Sequence, residues 1–251
     1  MAPETSPTAR PEPPAGAGPW ARAAAGRLRR ATARDAGRLA VRWVRSSPGT
    51  HIWLLILAVT SSIVAAAPRH TRWHLLHHVS TNLVELHQHP LRVLVASALW
   101  IETPSGLLTY GVLFELVHAP AERWLGTWRW LFTVASAHIG ATLISQKAVF
   151  FGIRDDRLSP ALAHTVDIGV SYGLAGALGV LTYRIPWPWR LPYLALVLVY
   201  FGGRLAADRT FTNLGHLASV LIGLTCYALT PQFRQPAGRV PARYRPRRST
   251  R

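Results

Sequence analysis

The stretch that decides the fold is residues 167–179, DIGVSYGLAGALG, which combines Asp167, Ser171 and repeated glycines. It opens a segment, 166–183, that is otherwise apolar enough to lie in a lipid bilayer. Polar groups are costly in hydrocarbon unless they are paired, and glycines allow two helices to approach closely. The stretch therefore predicts a membrane helix packed tightly against a neighbour, with Ser171 and Asp167 on its first turns.

The composition extends this prediction to the whole chain. Of 251 residues, 49% are hydrophobic and 16% charged, which is more apolar than a typical soluble domain. Several apolar blocks approach the roughly 20 residues needed to cross a membrane. The blocks are 51–67, 93–118, 130–145, 166–183, 191–205 and 211–229. They predict an all-α polytopic membrane protein, a six-transmembrane-helix bundle. Glu102 and Pro104 interrupt the second block, so its first half is expected to dip into the membrane and the true span to start near Pro104.

The charge pattern predicts domains and topology. Residues 1–48 form a disordered basic tail with an interfacial helix, 49–230 the membrane domain, and 231–251 a second disordered basic tail. Most of the 28 lysines and arginines lie in these tails and in two short connections, so the positive-inside rule places both termini in the cytoplasm. The arginine-rich segment after Trp20 also fits a mitochondrial transit peptide, but an interfacial helix is preferred.

The same charge also bears on partners and location. The net charge of +17 favours anionic lipids at the basic tails, while nucleic acid is not expected, because no aromatic-interleaved basic motif is present. The use of arginine in place of lysine suggests a GC-rich bacterial genome and hence a bacterial plasma membrane, with an organellar membrane as the alternative.

Histidines are dense in residues 70–89, HTRWHLLHHVSTNLVELHQH. His74, His77 and His78 have helix-face spacings suited to a metal ion. No cysteine or carboxylate set completes a ligand shell, so we expect a solvated loop between the first two spans, and neither a metal nor an organic cofactor. A histidine-based metal or haem protein is the remaining alternative of this class.

Ser171 and His216 are the candidate reactive pair. An ionisable group such as His216 inside a span is a functional candidate by default. With the amino terminus inside, the fourth and sixth spans both start on the outer side, and both residues lie about five positions into their blocks, roughly 7 to 8 Å deep. A neutral imidazole in the same layer is able to take the proton from a serine hydroxyl and make it a nucleophile.

These residues resemble the rhomboid family of intramembrane serine proteases, in a divergent, actinobacterial type. The matching motifs are GxSG-like Gly169 and Ser171 with Gly176 and Gly179, His216 with Ala218, Ser219 and Gly223, ERWLG at 122–126, and HPLRVLVASALW at 89–100. The resemblance implies a six-helix core over residues 50–230. It also implies an endopeptidase that cleaves transmembrane proteins through a Ser171–His216 dyad without a cofactor.

The sequence departs from the family pattern in two places. Tyr172 replaces the glycine after the serine and is expected to crowd the nucleophile. The family's HxxxN pair, associated with the oxyanion, falls on Gly106 and Tyr110, so Tyr110 is the candidate donor beside the backbone N–H of Ser171. Asp167 either faces the same pocket or caps the helix that follows. The missing pair favours the alternative of a rhomboid pseudoprotease that binds membrane proteins.

Overall fold

The computed structural model describes residues 35–234, and throughout this range the chain folds into helices and connecting loops without a strand. Of the predicted tails, 1–48 and 231–251, the parts at 1–34 and 235–251 lie outside the described residues. Residues 35–45 are helical, with Arg38 and Asp35 4.0 Å apart on its exposed face. The remaining helices are α1 (Pro48–Ala66), α2 (Arg69–Val79), α3 (Leu83–Gln88), α4 (Pro90–Leu99), α5 (Pro104–Leu125), α6 (Thr127–Arg154), α7 (Val170–Leu181), α8 (Arg190–Ala207), α9 (Phe211–Thr225) and α10 (Pro231–Arg234).

Three of the described helical segments are long and apolar enough to cross a membrane: α1, α8 and the stretch Phe211–Phe233 that begins with α9. The pair α4 and α5 makes a fourth if it is counted as one span, with a bend of 59° between its halves. The break at residues 100–103 falls on the interruption that the sequence marks with Glu102 and Pro104. These helices fit an all-α membrane protein.

Helix α7 lies in the interior of the bundle, and α6 packs one buried face against it while its other face is exposed. The 28 residues of α6 are long enough to span, but the helix turns polar side chains inward, among them His138, Ser145 and Gln146, and these lower its hydropathy. The 12 residues of α7 extend only about 18 Å along the axis. Most of the α7 residues are buried, so this short helix is surrounded by protein and needs little contact with lipid.

Glycines bring α7 and α9 into backbone contact. A Cβ added to Gly223 of α9 would lie 2.1 Å from the carbonyl oxygen of Gly176, and one added to Gly179 would lie 2.3 Å from that of Val220. Both distances are far below a van der Waals contact, so only glycine fits at these positions. The repeated glycines of the opening stretch therefore set the distance between the two helices that carry Ser171 and His216.

The ERWLG segment ties the end of α5 to the start of α1. Glu122 is 1% exposed, and its carboxylate accepts hydrogen bonds from the backbone N–H groups of Gly49 and Thr50 at 2.9 and 2.7 Å. The hydroxyls of Thr50 and Thr127 donate to it at 2.7 and 2.8 Å. A carboxylate at a helix amino terminus satisfies N–H groups that have no partner within the helix. Gly126 then ends α5 with φ +85°, a conformation that favours glycine.

Candidate active site

Ser171 is the second residue of α7. Gly169 precedes the helix, and its carbonyl accepts from the N–H of Tyr172 at 3.0 Å, which starts the first turn. Backbone N–H groups in the first turn of a helix lack partners within it, so the N–H of Ser171 is available to a ligand at this end of α7. The Ser171 side chain is partly exposed.

The structure brings Ser171 and His216 together. His216 lies in the second turn of α9, half-buried, with its Nε2 2.9 Å from the Oγ of Ser171. This is the distance of a hydrogen bond, and it joins positions 45 residues apart in the chain. One turn further into the bundle, the hydroxyl of Ser219 donates to the carbonyl of Tyr172 and ties the same two helices.

Tyr172 packs inside the bundle. Its side chain is fully buried, clusters with Ala141 and Ala218, and meets the imidazole of His216 edge-on with ring centroids 5.1 Å apart. A Cβ at Gly215 would collide with this ring at 2.7 Å. The sequence suggests that Tyr172 crowds the nucleophile, whereas in the structure it contacts the candidate base. Residue i+1 of a helix projects about 100° from residue i, so Ser171 and Tyr172 leave α7 on different sides.

Asp167 lies behind Tyr172 and is 4% exposed. Its carboxylate accepts from the Tyr172 hydroxyl at 3.1 Å, and from the Gln146 amide and the Thr81 hydroxyl at 3.2 Å each. Its backbone N–H donates to Ser80 Oγ at 2.7 Å. The α7 amino terminus has no side-chain cap, so the carboxylate does not serve as one. Asp167 instead joins the loop after α2 to α6 and to the ring that contacts His216.

The family model described as rhomboid-like protein matches residues 42–236, most of the chain. The chain belongs to the rhomboid-like family. No match is found among curated proteins or among solved structures. Family membership and the apolar helices together make it an integral membrane protein.

Tyr110 occupies the position of the asparagine in the HxxxN pattern, the second place where this rhomboid-like protein departs from the family's motifs. It lies in α5, half-buried, with its phenol near the side chain of Ser171. Gly106, one turn earlier, has no side chain to offer, and a Cβ there would meet Ile101 at 3.3 Å. Tyr110 is therefore the polar group of α5 that the structure places beside Ser171.

His138 of α6 is a residue at this site that the sequence analysis does not single out. It is 3% exposed, with Nδ1 3.1 Å from the carbonyl oxygen of Gly169 and Nε2 2.8 Å from that of Leu94. The N–H of Gly169 donates to the carbonyl of Ser97 at 3.1 Å, and a Cβ at Gly169 would lie 2.0 Å from the imidazole. The residue before α7 is thus held on both sides, by α4 and by α6.

A signal for His138 was present in the sequence. It is an ionisable residue within an apolar block, the same property that marks His216. No motif in the chain pairs it with a second polar residue, and its partners are backbone carbonyls, which no sequence pattern reveals. Among residues 35–234, no group of three or more histidine, cysteine, aspartate or glutamate side chains is arranged to hold a metal ion.

Proposed function

We propose that this rhomboid-like protein is an intramembrane serine endopeptidase that cleaves transmembrane proteins through a Ser171–His216 dyad. The observation that carries the proposal is the 2.9 Å distance between His216 Nε2 and Ser171 Oγ. A serine hydroxyl is a weak nucleophile until an adjacent base takes its proton, and here the base is in hydrogen-bond contact. The family match is consistent with a membrane-protein substrate.

The dyad accounts for both halves of peptide hydrolysis. Ser171 Oγ attacks the scissile carbonyl carbon while His216 Nε2 takes the Oγ proton, and the oxyanion forms beside the Ser171 N–H and the Tyr110 hydroxyl. His216 then gives the proton to the leaving amine, the C–N bond breaks, and an acyl ester remains on Ser171. Water attacks this ester as His216 takes its proton, and Oγ regains a proton when the acid product leaves. No cofactor is required.

The proposal includes six membrane spans: α1, α5 with α4 dipping into the membrane before it, α6, α7, α8 and α9. The two spans beyond those identified by length and hydropathy are α6, whose polar residues face inward, and α7, which is enclosed by protein. The membrane domain is 49–230, flanked by the basic tails 1–48 and 231–251. Both termini are cytoplasmic, the tails contact anionic lipids, and the host is the bacterial plasma membrane.

The proposed topology predicts the side of each connection. Dual reporters, a phosphatase active outside and a fluorescent protein active inside, are fused after Arg234, within 124–129 and near Asp156. The first two fusions should read cytoplasmic and the third external, because in the six-span topology an even number of spans precedes the first two sites and an odd number precedes the third. The same topology places Ser171 and His216 in one outer layer. A cytoplasmic reading near Asp156 would contradict the six-span topology.

A rhomboid pseudoprotease that binds membrane proteins is the second candidate. The observation in its favour is Gly106, which leaves one of the two positions of the family's HxxxN pair without a side chain. An enzyme that lacks one oxyanion donor typically loses about 100- to 1000-fold in rate. The two candidates differ in whether Ser171 reacts.

Cleavage of a transmembrane reporter separates the two. Wild-type protein reconstituted with a generic transmembrane reporter should release two fragments, and Ser171→Ala should release none, because the nucleophile is gone. The matched control is Ser62→Ala, which removes an exposed hydroxyl of α1 that bonds only within its own helix, to the carbonyl of Ala58 at 2.8 Å. Equal cleavage by wild type and Ser171→Ala would refute the dyad. Intact reporter in every reaction would leave the binding protein as the better candidate.

A further inference from the structure

The histidine-rich segment after α1 forms two helices, α2 and α3, and α2 carries a close imidazole pair. His70 and His74, one turn apart, are both exposed, and their Nε2 atoms lie 3.1 Å from each other with ring centroids 4.3 Å apart. The two Nε2 atoms therefore lie next to each other on the exposed surface of α2. This pair is remote from the Ser171–His216 dyad in the chain and has no part in the proposed chemistry.

The separation of the two nitrogens matches chelation of a single ion. For metal–nitrogen bonds of about 2.0–2.1 Å, two adjacent ligands of a tetragonal or tetrahedral ion lie roughly 2.8–3.4 Å apart. The 3.1 Å between His70 and His74 falls inside this interval. Helical residues four apart also share one face, so the backbone holds both ligands before an ion arrives.

A hydrogen bond between two neutral imidazoles explains the distance less well. Both rings are open to water, and an exposed neutral hydrogen bond contributes little against the loss of side-chain freedom. The His74 ring is restrained instead by Trp73, which meets it edge-on at 4.9 Å. Arg72, a neighbouring cation, donates through Nε to the Val64 carbonyl near the end of α1 at 3.0 Å.

We infer that His70 and His74 form a binding site for one divalent transition-metal ion, with water completing its coordination. Imidazole nitrogen selects Cu²⁺, Ni²⁺ and Zn²⁺ over Ca²⁺ and Mg²⁺, which prefer oxygen ligands. Affinity for divalent ions rises to Cu²⁺ and falls again at Zn²⁺, so Cu²⁺ binds most tightly. Two protein ligands, without the third that a catalytic zinc site has, make this an exchangeable site on the surface of α2.

The test is Cu²⁺ titration of the full-length protein in detergent, purified without a polyhistidine tag. Calorimetry gives the affinity, and electron paramagnetic resonance reports how many imidazole nitrogens coordinate. Loss of a residue that only orients a ligand typically costs about 10–100-fold in metal affinity. His70→Ala and His74→Ala should each lower the Cu²⁺ affinity by at least this factor. Each should also remove the coupling to two nitrogens from the paramagnetic resonance spectrum.

Other histidines of the segment provide matched controls. His87→Ala removes an exposed imidazole of α3, and His78→Ala removes one whose Nδ1 is 3.0 Å from Glu85. Both should keep the wild-type affinity. Undiminished binding in His70→Ala, or loss in His78→Ala alone, would overturn the assignment. The titration needs no proteolysis, so its result is independent of the dyad.

Discussion

His216→Ala is expected to slow the reaction of Ser171 with a fluorophosphonate by roughly 10³- to 10⁴-fold, at the upper end of what a general base contributes. The reagent forms an Oγ–P bond and expels fluoride, and the Oγ proton must leave as the bond forms. In the wild type, His216 Nε2 stands 2.9 Å from Oγ to receive it. Alanine leaves water as the acceptor in a half-buried site, where ions are poorly solvated.

The measurement is intact mass against time, with the modified residue located by tandem mass spectrometry. His87→Ala is the control, because it deletes an exposed imidazole far along the chain from the site. Thermal unfolding of each variant checks that the bundle remains folded. Wild-type rates in His216→Ala would show that the pair does not act as a dyad, and a wild type that never reacts would favour the pseudoprotease.

The contacts of Tyr172 explain why the imidazole is available at that distance. A side chain on a helix has several rotamers, and the edge-on contact at 5.1 Å leaves His216 fewer of them. Tyr172 is in turn fixed by the bond from its hydroxyl to Asp167 at 3.1 Å. The contacts from Asp167 through Tyr172 to His216 therefore hold the imidazole beside Ser171, as the proposed dyad would require.

The proximity of Ser171 and His216 could be predicted from the sequence. It depends only on the order of the apolar segments along the chain and on how far into its segment each residue lies. Counting spans from the basic tails places Ser171 and His216 in one layer, and glycines in both helices predict close approach. The structure has the two side chains in contact and shows the backbones meeting at Gly176 and Gly223. Helix periodicity and the cost of polar groups in lipid are sufficient for these features.

The direction of each side chain could not be predicted in the same way. Tyr172 follows the serine in sequence, which suggests crowding, yet it turns into the core because the space beside Gly215 accepts its ring. His138 reaches the carbonyls of Leu94 and Gly169 across the bundle. Such contacts depend on which faces of distant helices meet, and no spacing within one helix encodes that choice.

The length of α7 is a second feature that could not be predicted from the sequence. An apolar block over 166–183 suggests a full span, but the helix covers only Val170–Leu181. Asp167 and Gly169 are held in place before it by hydrogen bonds to Ser80 and Ser97, so a loop and not a helical turn leads into α7. A helix that is enclosed by protein can be shorter than the hydrocarbon thickness of about 30 Å. A hydropathy profile does not detect that enclosure.

Tyr110→Phe is expected to lower the rate of reporter cleavage by about 100- to 1000-fold while leaving the fold intact, the loss typical of one oxyanion donor. The phenol of Tyr110 lies near the side chain of Ser171. Negative charge develops on the substrate oxygen next to Ser171 as the tetrahedral intermediate forms. Gly106 supplies no side chain there, so the Tyr110 hydroxyl and the Ser171 N–H would share the task.

A purely packing role for Tyr110 predicts a different result. Phenylalanine keeps the ring and removes only the hydroxyl, so packing would be preserved and the rate would stay near wild type. Tyr200→Phe is the matched control, because it removes the hydroxyl of a largely exposed tyrosine on α8. The decisive quantities are kcat and KM for the reporter in wild type and both variants. A fall in kcat with unchanged KM marks a contact made in the transition state. Equal kcat in wild type and Tyr110→Phe would exclude Tyr110 as an oxyanion donor and leave that role to the backbone N–H at the start of α7.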